Sequence, residues 1–370
     1  FGWGELVIIR PGAYGAISIT SAAYAIRVLG GDPSAVVLDV GQVWLLGHVT
    51  IAAEQALASG LIVLVAAVNW FGIHRGAVLQ NLSTALKVAA LFTLVALGFA
   101  LGGSHAVPGM LSQHAPVSIS PFLVAMVAIL WAYDGWADLA FVSGEVRDPQ
   151  RNLPRAIILG TAGVGLLYLA AIVVYLHLIP MAKMGGAQLV AADAAQLLLG
   201  PAGVVLVGAA VAVSTFGTLN GSMMTAPRIF FAMAEDGMFP RAIARVDASS
   251  GAPTGAIALA AALGAVFVLI RTFTALADQF VIGIWPFYAM GVAAVFVLRR
   301  RRPDLERPYR TWGYPLVPAL FLLGSIFLLG NYLVSQPLTF AVDVGLIALG
   351  IPVYYIWLWA RARFRTAASA

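Results

Sequence analysis

The sequence predicts an all-α polytopic membrane protein, and three observations lead to that fold class. Of its 370 residues, 61% are hydrophobic and only 10% are charged, and the mean hydropathy is +0.93. The apolar runs are close in length to the roughly 20 residues that cross a bilayer as a helix. Most of the 21 Lys and Arg residues lie in alternate loops between those runs. Because no loop is long enough to fold alone, residues 1–370 are expected to form a single transmembrane domain.

About ten membrane segments are predicted from the apolar runs and their charged, Pro and Gly boundaries. They cover residues 1–29, 50–71, 79–102, 118–142, 155–179, 201–232, 255–271, 276–298, 314–334 and 338–360. Two longer connections separate some of them. Residues 30–49 are expected to form an outer loop, and the Ala- and Gly-rich stretch 180–200 fits a short helix lying on the surface.

The basic residues distinguish the two sides of the membrane. The basic clusters comprise Arg75; Arg147, Arg151 and Arg155; Arg228, Arg241 and Arg245; Arg299 to Arg302 with Arg307 and Arg310; and Arg361, Arg363 and Arg365. Because Lys and Arg concentrate in cytoplasmic loops, these clusters predict a protein of the cytoplasmic (inner) membrane with both termini in the cytoplasm. The net charge of +5 is therefore attributed to basic residues that flank the membrane segments, and not to a nucleic-acid-binding site.

Motifs for enzymatic chemistry are scarce. The sequence has no HExxH, P-loop or GxGxxG motif, and without Cys it has no thiolate metal site or cysteine nucleophile. Asp134 and Asp138 are four residues apart on one predicted helical face, as are paired acids that bind magnesium in membrane prenyl transferases. A second acidic motif that would complete such a site is missing from the sequence. No catalytic residue, metal or cofactor is predicted, and the protein is not expected to be an enzyme.

The stretch Trp131-Ala-Tyr-Asp-Gly-Trp136 is the main candidate for a binding site. An acid near the bilayer interior costs roughly 2.5 to 3.5 kcal/mol on insertion scales, so such acids usually face a cavity or a partner. Gly135 weakens the helix, and unwound backbone at that depth is tolerated only where protein or water satisfies it. The alternative is a helix kink in which Asp134 bonds to a neighbouring helix.

Other polar residues in the apolar segments have two interpretations each. Lys87 either extends to the cytoplasmic interface, as Lys near a helix end often does, or points inward as a fixed positive charge. Trp285-Pro-Phe-Tyr288 indicates a kinked helix whose aromatic side chains belong either to the core or to a pocket. Glu5 and Arg10 are five residues apart and are expected to form an ion pair.

The run Ser214-Thr-Phe-Gly-Thr-Leu-Asn-Gly-Ser222 places small and hydroxyl side chains within an apolar helix. Gly217 and Gly221 are four residues apart, a spacing that favours close helix packing. Alternatively, the hydroxyls of Thr218 and Ser222 line a cavity. The sequence leaves both interpretations open.

Taken in order, several motifs resemble the amino acid, polyamine and organocation (APC) superfamily, and within it the L-type amino acid transporters and their bacterial relatives. The resemblance covers essentially the whole chain. It rests on Phe1-Gly-Trp-Gly-Glu-Leu-Val-Ile-Ile-Arg-Pro11, Val68-Asn-Trp-Phe-Gly72, Gln80-Asn81 with Lys87, Ala132-Tyr-Asp-Gly-Trp136, Glu145-Val-Arg-Asp-Pro149, Arg151-Asn-Leu-Pro-Arg155, Phe216-Gly-Thr-Leu-Asn-Gly-Ser222, Pro227-Arg-Ile-Phe-Phe231 and Arg302-Pro-Asp-Leu-Glu-Arg-Pro308.

The resemblance implies a LeuT-like inverted-repeat transporter fold, in which the first and sixth helices are broken at the substrate site. Phe1 to Leu29 resembles the third helix of the family, and Pro121 to Val142 resembles the sixth. About ten transmembrane helices, family helices 3 to 12, are therefore expected. The chain is expected to be an N-terminally truncated permease, because the Gly-rich first helix that binds the substrate carboxylate in the family has no counterpart before Phe1.

The resemblance also implies roles for individual residues. Trp131 falls where an aromatic side chain closes over the substrate, and Trp285 where one shapes the side-chain pocket. Asp134 matches an acid found in some members, where others often have a small residue or Gly, and it is a candidate to pair with a cationic substrate or a proton. Ala137 replaces an Asn that is common in the family. The backbone that would receive the substrate ammonium group is that of Ala132, Tyr133, Asp134 and Gly135.

Lys87 matches the family's fifth-helix lysine at the position equivalent to a sodium site, which implies that sodium is not required. The predicted function is sodium-independent amino acid transport by alternating access, driven by exchange or by proton coupling. An amino acid substrate and the lipid bilayer are the expected partners, and the absence of Cys excludes a disulfide-linked heavy chain. Two alternatives stay open: an amine or polyamine carrier, and a truncated, non-transporting membrane scaffold or assembly partner.

Overall fold

The computed structural model describes residues 1–43, 47–102, 122, 125–126, 129–130, 132–185, 190–307 and 309–367. Over these residues the protein consists of helices and one β-hairpin. The helices are α1 (Gly2–Val28), α2 (Ala53–Trp70), α3 (Ile73–Leu101), α4 (Asp138–Phe141), α5 (Pro149–Leu178), α6 (Met181–Met184), α7 (Val190–Leu199), α8 (Pro201–Glu235), α9 (Thr254–Ile270), α10 (Phe273–Arg301), α11 (Leu316–Ser335), α12 (Pro337–Ala348) and α13 (Gly350–Ala367). Single 3₁₀ turns occur at Ser143–Glu145 and Arg241–Ala244.

The predicted multi-pass helical architecture is confirmed. Among the described residues, 8 helical stretches are long and apolar enough to cross a membrane. They are α1, α2, α3, α5, α8, α10, α11 and the combined stretch Pro337–Trp359, in which α12 gives way to α13 at Leu349. The apolar helix α9 is slightly shorter, at 17 residues. The remaining predicted segment, 118–142, is described only in part, and its described residues 122, 125–126, 129–130 and 132 are helical.

One connection differs from the sequence prediction. The predicted loop 30–49 contains an antiparallel hairpin of β1 (Val36–Val43) and β2 (Gly47–Ala52), so the segment predicted from residue 50 begins instead with α2 at Ala53. β-Branched residues are abundant in both strands and favour this conformation. The stretch 180–200 contains a short helix as expected, α7, which leaves Asp193, Gln196, Leu197 and Leu199 exposed. It buries three alanines in the bundle, at Ala192, Ala194 and Ala195.

Helix α1 is the centre of the bundle and packs against α2, α8, α9 and α10. Two apolar clusters surround it. In the first, Tyr14 of α1 packs with Ile62 of α2 and Leu219 of α8, and all three side chains are fully buried. In the second, Ile8 packs with residues of α10 and α11. Polar side chains carried by α1 are therefore held in a fixed place within the protein.

The connecting segments lie at two opposite ends of the bundle. At one end, Ser250 Oγ donates to the carbonyl oxygen of Trp70 at 3.1 Å, and Arg361 Nη1 donates to the carbonyl oxygen of Asp236 at 3.3 Å. At the other end, Gln55 Nε2 donates to the carbonyl oxygen of Arg271 at 3.1 Å, close to the hairpin. Basic clusters of the sequence thus meet at the first end, as the alternation of basic loops predicts.

Candidate functional site

The helix that carries the candidate site is interrupted. Residues 133–137 form a turn between helical residues before them and α4 after them. Within the turn the amide of Asp138 donates to the carbonyl oxygen of Gly135 at 3.2 Å, and Gly135 has a φ of 106°. That left-handed conformation is accessible to glycine without the steric cost that a Cβ atom brings. Trp131, predicted to close over the substrate, lies outside the described residues.

The acid of the turn is bound by helix α10. Tyr288 donates its hydroxyl hydrogen to Asp134 Oδ1 at 2.8 Å, and its ring lies 5.0 Å from that of Trp136. Tyr288 was not selected from the sequence as a site residue. The signal was available, because Tyr288 is three residues after Trp285 and hence on the same helical face.

Trp285 lies one layer behind Tyr288. Only 9% of Trp285 is exposed, and its ring stacks on Phe321 of α11 at 5.9 Å while also contacting Tyr288 at 5.8 Å. Its indole nitrogen has no hydrogen-bond partner within the described residues. Trp285 therefore supports Tyr288 from behind, and Tyr288 makes the direct contact with the turn.

Helix α5 approaches the same turn from another direction. The Tyr168 hydroxyl donates to the carbonyl oxygen of Ala132 at 3.3 Å, and the rings of Tyr133 and Tyr168 meet edge to face at 5.2 Å. The first of the carbonyls predicted to receive an ammonium group thus already accepts a hydrogen bond. Aromatic side chains of α5 and α10 thus flank the turn.

A buried ionic cluster lies immediately after the turn. Arg10 Nε donates to Glu5 Oε2 at 2.7 Å, which is the ion pair predicted from the sequence. Residues Glu5–Ile9 form a π-helical turn, in which the Arg10 amide donates to the Glu5 carbonyl oxygen. Because a π turn aligns residues five apart, it brings these two side chains together where a regular α-helix would separate them.

Asp138, the first residue of α4, is the second partner of Arg10. The guanidinium group makes a bidentate contact with it, Nη2 to Oδ1 at 2.9 Å and Nη1 to Oδ2 at 3.2 Å. Thr225 Oγ1 of α8 donates to the same Oδ2 at 2.8 Å, and Ser222 Oγ accepts from Arg10 Nη1 at 3.4 Å. The cluster of Glu5, Arg10, Asp138, Ser222 and Thr225 is called the ionic cluster below. It joins α1, α4 and α8.

This arrangement corrects one expectation from the sequence. Asp134 and Asp138 do not share a helical face, because Asp134 lies in the turn and Asp138 begins α4. Their partners differ as well, since Asp134 binds Tyr288 and Asp138 binds Arg10. The two acids are thus engaged separately by a hydroxyl group and by a guanidinium group.

Lys87 points towards α8. Its Nζ donates to Thr218 Oγ1 at 3.0 Å, and the side chain is half-buried. Thr218 and Ser222, the two hydroxyls singled out in the sequence, therefore each contact a cation, Lys87 and Arg10 respectively. The contact lies at the surface of the described residues, since Thr218 is exposed.

A neutral seam joins α2, α3 and α8 beside Lys87. Asn220 Nδ2 donates to the carbonyl oxygen of Gly76 at 2.9 Å, and Asn220 Oδ1 accepts from Asn69 Nδ2 at 2.9 Å. Gly217 leaves room for the side chain of Ser83, which a Cβ atom would meet. The residues Asn69, Gly76, Gln80, Ser83, Gly217, Asn220 and Gly221 are called the neutral seam below. The close helix packing that the spacing of Gly217 and Gly221 favours is therefore present between α3 and α8.

Comparison with known proteins gives consistent results. A family model described as amino acid permease matches residues 1–358. The chain is 29% identical over 362 residues to the serine/threonine exchanger SteT of Bacillus subtilis, covering 96% of this chain and 77% of that protein. It is 27% identical over 372 residues to the b(0,+)-type amino acid transporter 1 of Mus musculus, covering 98% and 72%. It is 28% identical over 367 residues to the large neutral amino acids transporter small subunit 2 of Oryctolagus cuniculus, covering 96% and 64%.

Proposed function

Because this chain belongs to the amino acid permease family, we propose that it moves amino acids through a cytoplasmic membrane by alternating access and without sodium. The relatives are transporters and an exchanger, so the activity of the family is amino acid transport and not an enzymatic reaction. The mechanism, the coupling and the residues described next are our proposals.

The interrupted helix at residues 133–137 is the observation that carries the proposal. An unwound turn at membrane depth leaves backbone carbonyls without helical partners, and such groups are tolerated where they line a cavity or bind a ligand. Around this turn, Tyr288 and Tyr168 supply aromatic rings that carry hydroxyl groups. That combination suits a small amphipathic molecule with one ammonium group.

We assign the ammonium group of the substrate to this turn. The carbonyls of residues 132–135 are acceptors, and Asp134 adds a negative charge that strengthens hydrogen bonds from a cation. The bond from Tyr288 orients the carboxylate group of Asp134. When the substrate carries a second positive charge, Asp134 is the group that would receive it. Trp131 remains our candidate for the aromatic side chain that closes the site.

Lys87 supports sodium independence. A fixed cation at the contact between α3 and α8 supplies the positive charge that a bound metal ion would otherwise supply at this place. The ammonium group binds Thr218 directly, so the contact between the two helices needs no ion. We propose that transport proceeds equally well when sodium is replaced by another cation.

The arrangement of the connecting loops supports our proposed orientation. The contacts of Ser250 with Trp70 and of Arg361 with Asp236 gather basic clusters at one end of the bundle. Because basic loops are retained on the cytoplasmic side, we assign this end to the cytoplasm. We also propose that the carrier works without a disulfide-linked partner, since its sequence contains no Cys.

The proposal is tested by uptake into proteoliposomes that contain the purified carrier. Labelled serine, leucine and arginine represent small, large and cationic side chains. We expect uptake of at least one of them, unchanged when choline replaces sodium. Vesicles preloaded with unlabelled amino acid distinguish exchange from proton coupling, which is tested with an inward proton gradient. Uptake that requires sodium would contradict the role given to Lys87.

Two substitutions test the site. Lys87→Ala is expected to lower the initial uptake rate at least about tenfold, the effect of losing one charge-assisted hydrogen bond. The control is Lys183→Ala, because Lys183 is exposed on the short helix α6. Asp134→Asn is expected to reduce uptake of arginine relative to leucine, with the exposed Asp304→Asn as its control. Unchanged uptake in both Lys87→Ala and Asp134→Asn would refute the assigned site.

A further inference from the structure

Arg10 has two carboxylates within reach and bonds both at once. One partner, Glu5, lies on the same helix and is held beside Arg10 by the π turn. The other, Asp138, directly follows the turn of residues 133–137. The ionic cluster therefore connects the fixed centre of the bundle to the segment proposed to bind the substrate.

The two carboxylates differ in their access to water. The Glu5 side chain is 0% exposed, whereas 23% of the Asp138 side chain is exposed. Because a charge leaves its partner easily only when water can replace that partner, Asp138 is able to depart and Glu5 is not. Any movement of α4 away from α1 therefore breaks the contact between Arg10 and Asp138 first.

A departing Asp138 would leave half of the guanidinium group without an anion. Glu5 has what is needed to compensate, because its second oxygen, Oε1, is buried without a hydrogen-bond partner among the described residues. Its Oε2 already holds Arg10 Nε at 2.7 Å. The adjacent guanidinium Nη2 can then donate to Oε1 and complete a parallel pair of hydrogen bonds, the strongest geometry for this pair.

On these observations, and resting on the proposed function, we infer that Arg10 is a positioning residue that holds the substrate-binding turn through Asp138. When the turn moves, Arg10 exchanges Asp138 for the free oxygen of Glu5. Glu5 is thus the standby partner that keeps the buried cation paired throughout the movement. The hydroxyl of Thr225, which binds Asp138 Oδ2 at 2.8 Å, holds the acid in the engaged state.

The inference predicts opposite effects for two substitutions of nearly the same shape. Asp138→Asn removes the charge that holds the turn, so the turn should separate from α1 more readily. Glu5→Gln removes the standby partner, so Arg10 should hold Asp138 more firmly. If the cluster served only to stabilise the fold, both substitutions would loosen it in the same direction.

The separation is measured with a single cysteine, because the chain has no other. Ser222→Cys places a thiol of similar size beside Arg10, at a position that is 8% exposed. Membrane-impermeant maleimide is applied to right-side-out and inside-out vesicles. In the Ser222→Cys background, labelling from the side that carries the basic cluster Arg147, Arg151 and Arg155 should rise about tenfold with Asp138→Asn and fall about tenfold with Glu5→Gln.

Transport provides the second measurement. Glu5→Gln is expected to lower the maximal uptake rate while leaving the apparent affinity for the amino acid unchanged, because the turn is still positioned but moves slowly. Asp138→Asn is expected to weaken the apparent affinity, and Asp138→Glu should restore part of it. Gel filtration of each variant in detergent confirms that it is folded.

The outcomes separate this inference from the proposed function. If wild-type carrier transports amino acids but the two substitutions change labelling in the same direction, or not at all, partner exchange by Arg10 is wrong and the transport function stands. If wild-type carrier transports no amino acid, the proposed function is wrong. Opposite changes in labelling support partner exchange by Arg10 in either case, because labelling does not depend on transport. The part of the inference that concerns substrate binding stands only together with the transport function.

Discussion

The ionic cluster and the neutral seam lie on the same helix, α8, and differ in what they connect. The ionic cluster uses Ser222 and Thr225 to meet α1 and α4, and it contains three charged side chains. The neutral seam uses Gly217 and Asn220 to meet α2 and α3 through amides, carbonyls and close backbone contact. Helix α8 thus presents one charged contact and one uncharged contact to different parts of the protein.

The difference indicates which contacts are suited to movement. Buried charges are strongly destabilising when left alone but can pass from one partner to another without losing their pairing. Contacts between small residues and amides depend on close packing of the helices. Their stabilising energy is lost as soon as the helices separate. We therefore expect the neutral seam to stay together during transport and the ionic cluster to rearrange.

Removing the cation should give the largest effect on stability. Arg10→Met leaves the buried Glu5 and the half-buried Asp138 without their partner, which is expected to cost about 3 to 5 kcal/mol. The free energy of unfolding in mixed micelles measures this loss. Arg75→Met is the control, since Arg75 is exposed and faces the ring of Phe71.

A triple variant sharpens the same prediction. Arg10→Met combined with Glu5→Gln and Asp138→Asn carries no unpaired charge in the cluster. It should be more stable than Arg10→Met alone, because replacing a whole buried ion cluster is far less costly than breaking it. A triple variant less stable than the single variant would show that packing around Arg10, and not charge, dominates.

The next effect is expected from overpacking of the neutral seam. Gly217→Ala places a methyl group against the side chain of Ser83, and an overfilled helix contact costs about 2 to 3 kcal/mol. Gly163→Ala on α5 is the matched control, because no atom of the described residues lies within 4 Å of a Cβ atom there. The measurement is again the free energy of unfolding. Ser83→Gly should rescue Gly217→Ala, and failure to rescue would mean that the close approach is not between these two residues.

Loss of the amide network should have a smaller effect. Asn220→Ala removes the bonds to Asn69 and to the carbonyl group of Gly76. Interhelical hydrogen bonds in membrane proteins contribute about 0.6 kcal/mol on average, so we expect a loss of about 1 to 2 kcal/mol. Thr93→Ala is the control, since that exposed hydroxyl donates to the carbonyl oxygen of Ala89 in its own helix. A change in substrate affinity larger than the change in stability would contradict a purely structural seam.

The smallest expected effect concerns the hydroxyl that supports Asp138. Thr225→Val keeps the shape of the side chain but removes the 2.8 Å bond to Asp138 Oδ2. Stability should fall by only about 0.6 kcal/mol. Maleimide labelling of the Ser222→Cys reporter should nevertheless increase, because Asp138 is held less firmly. An unchanged labelling rate would remove Thr225 from the proposed movement.

Predictions from the sequence succeeded where the decisive interactions are local. Glu5 and Arg10 are five residues apart, and their ion pair was predicted. Tyr288 and Asp138 were missed as partners because they lie 154 residues from Asp134 and 128 residues from Arg10 respectively. A polar residue in an apolar segment indicates that a hydrogen-bond or ionic partner is needed, but the sequence alone does not identify which residue is that partner.

The hairpin at residues 36–52 was missed for a different reason. Its strands are short, and they are as apolar as the end of a membrane segment. Hydropathy therefore assigned the last residues of β2 to the helix that begins at Ala53. Pairing of β1 with β2 fixed the boundary, because the strands satisfy each other's backbone groups. The placement of Trp131 is untested, since that residue lies outside the described part of the chain.

The sequence by itself determined the helical membrane architecture, the alternation of basic loops and the interruption near Gly135. Each follows from local properties: the length of apolar runs, the retention of positive charge and the conformational freedom of glycine. Only the tertiary structure decided that Arg10 binds Asp138, that Tyr288 binds Asp134 and that Lys87 binds Thr218. Those choices depend on which helices pack together, because a buried polar group must take whichever partner the packing brings within reach.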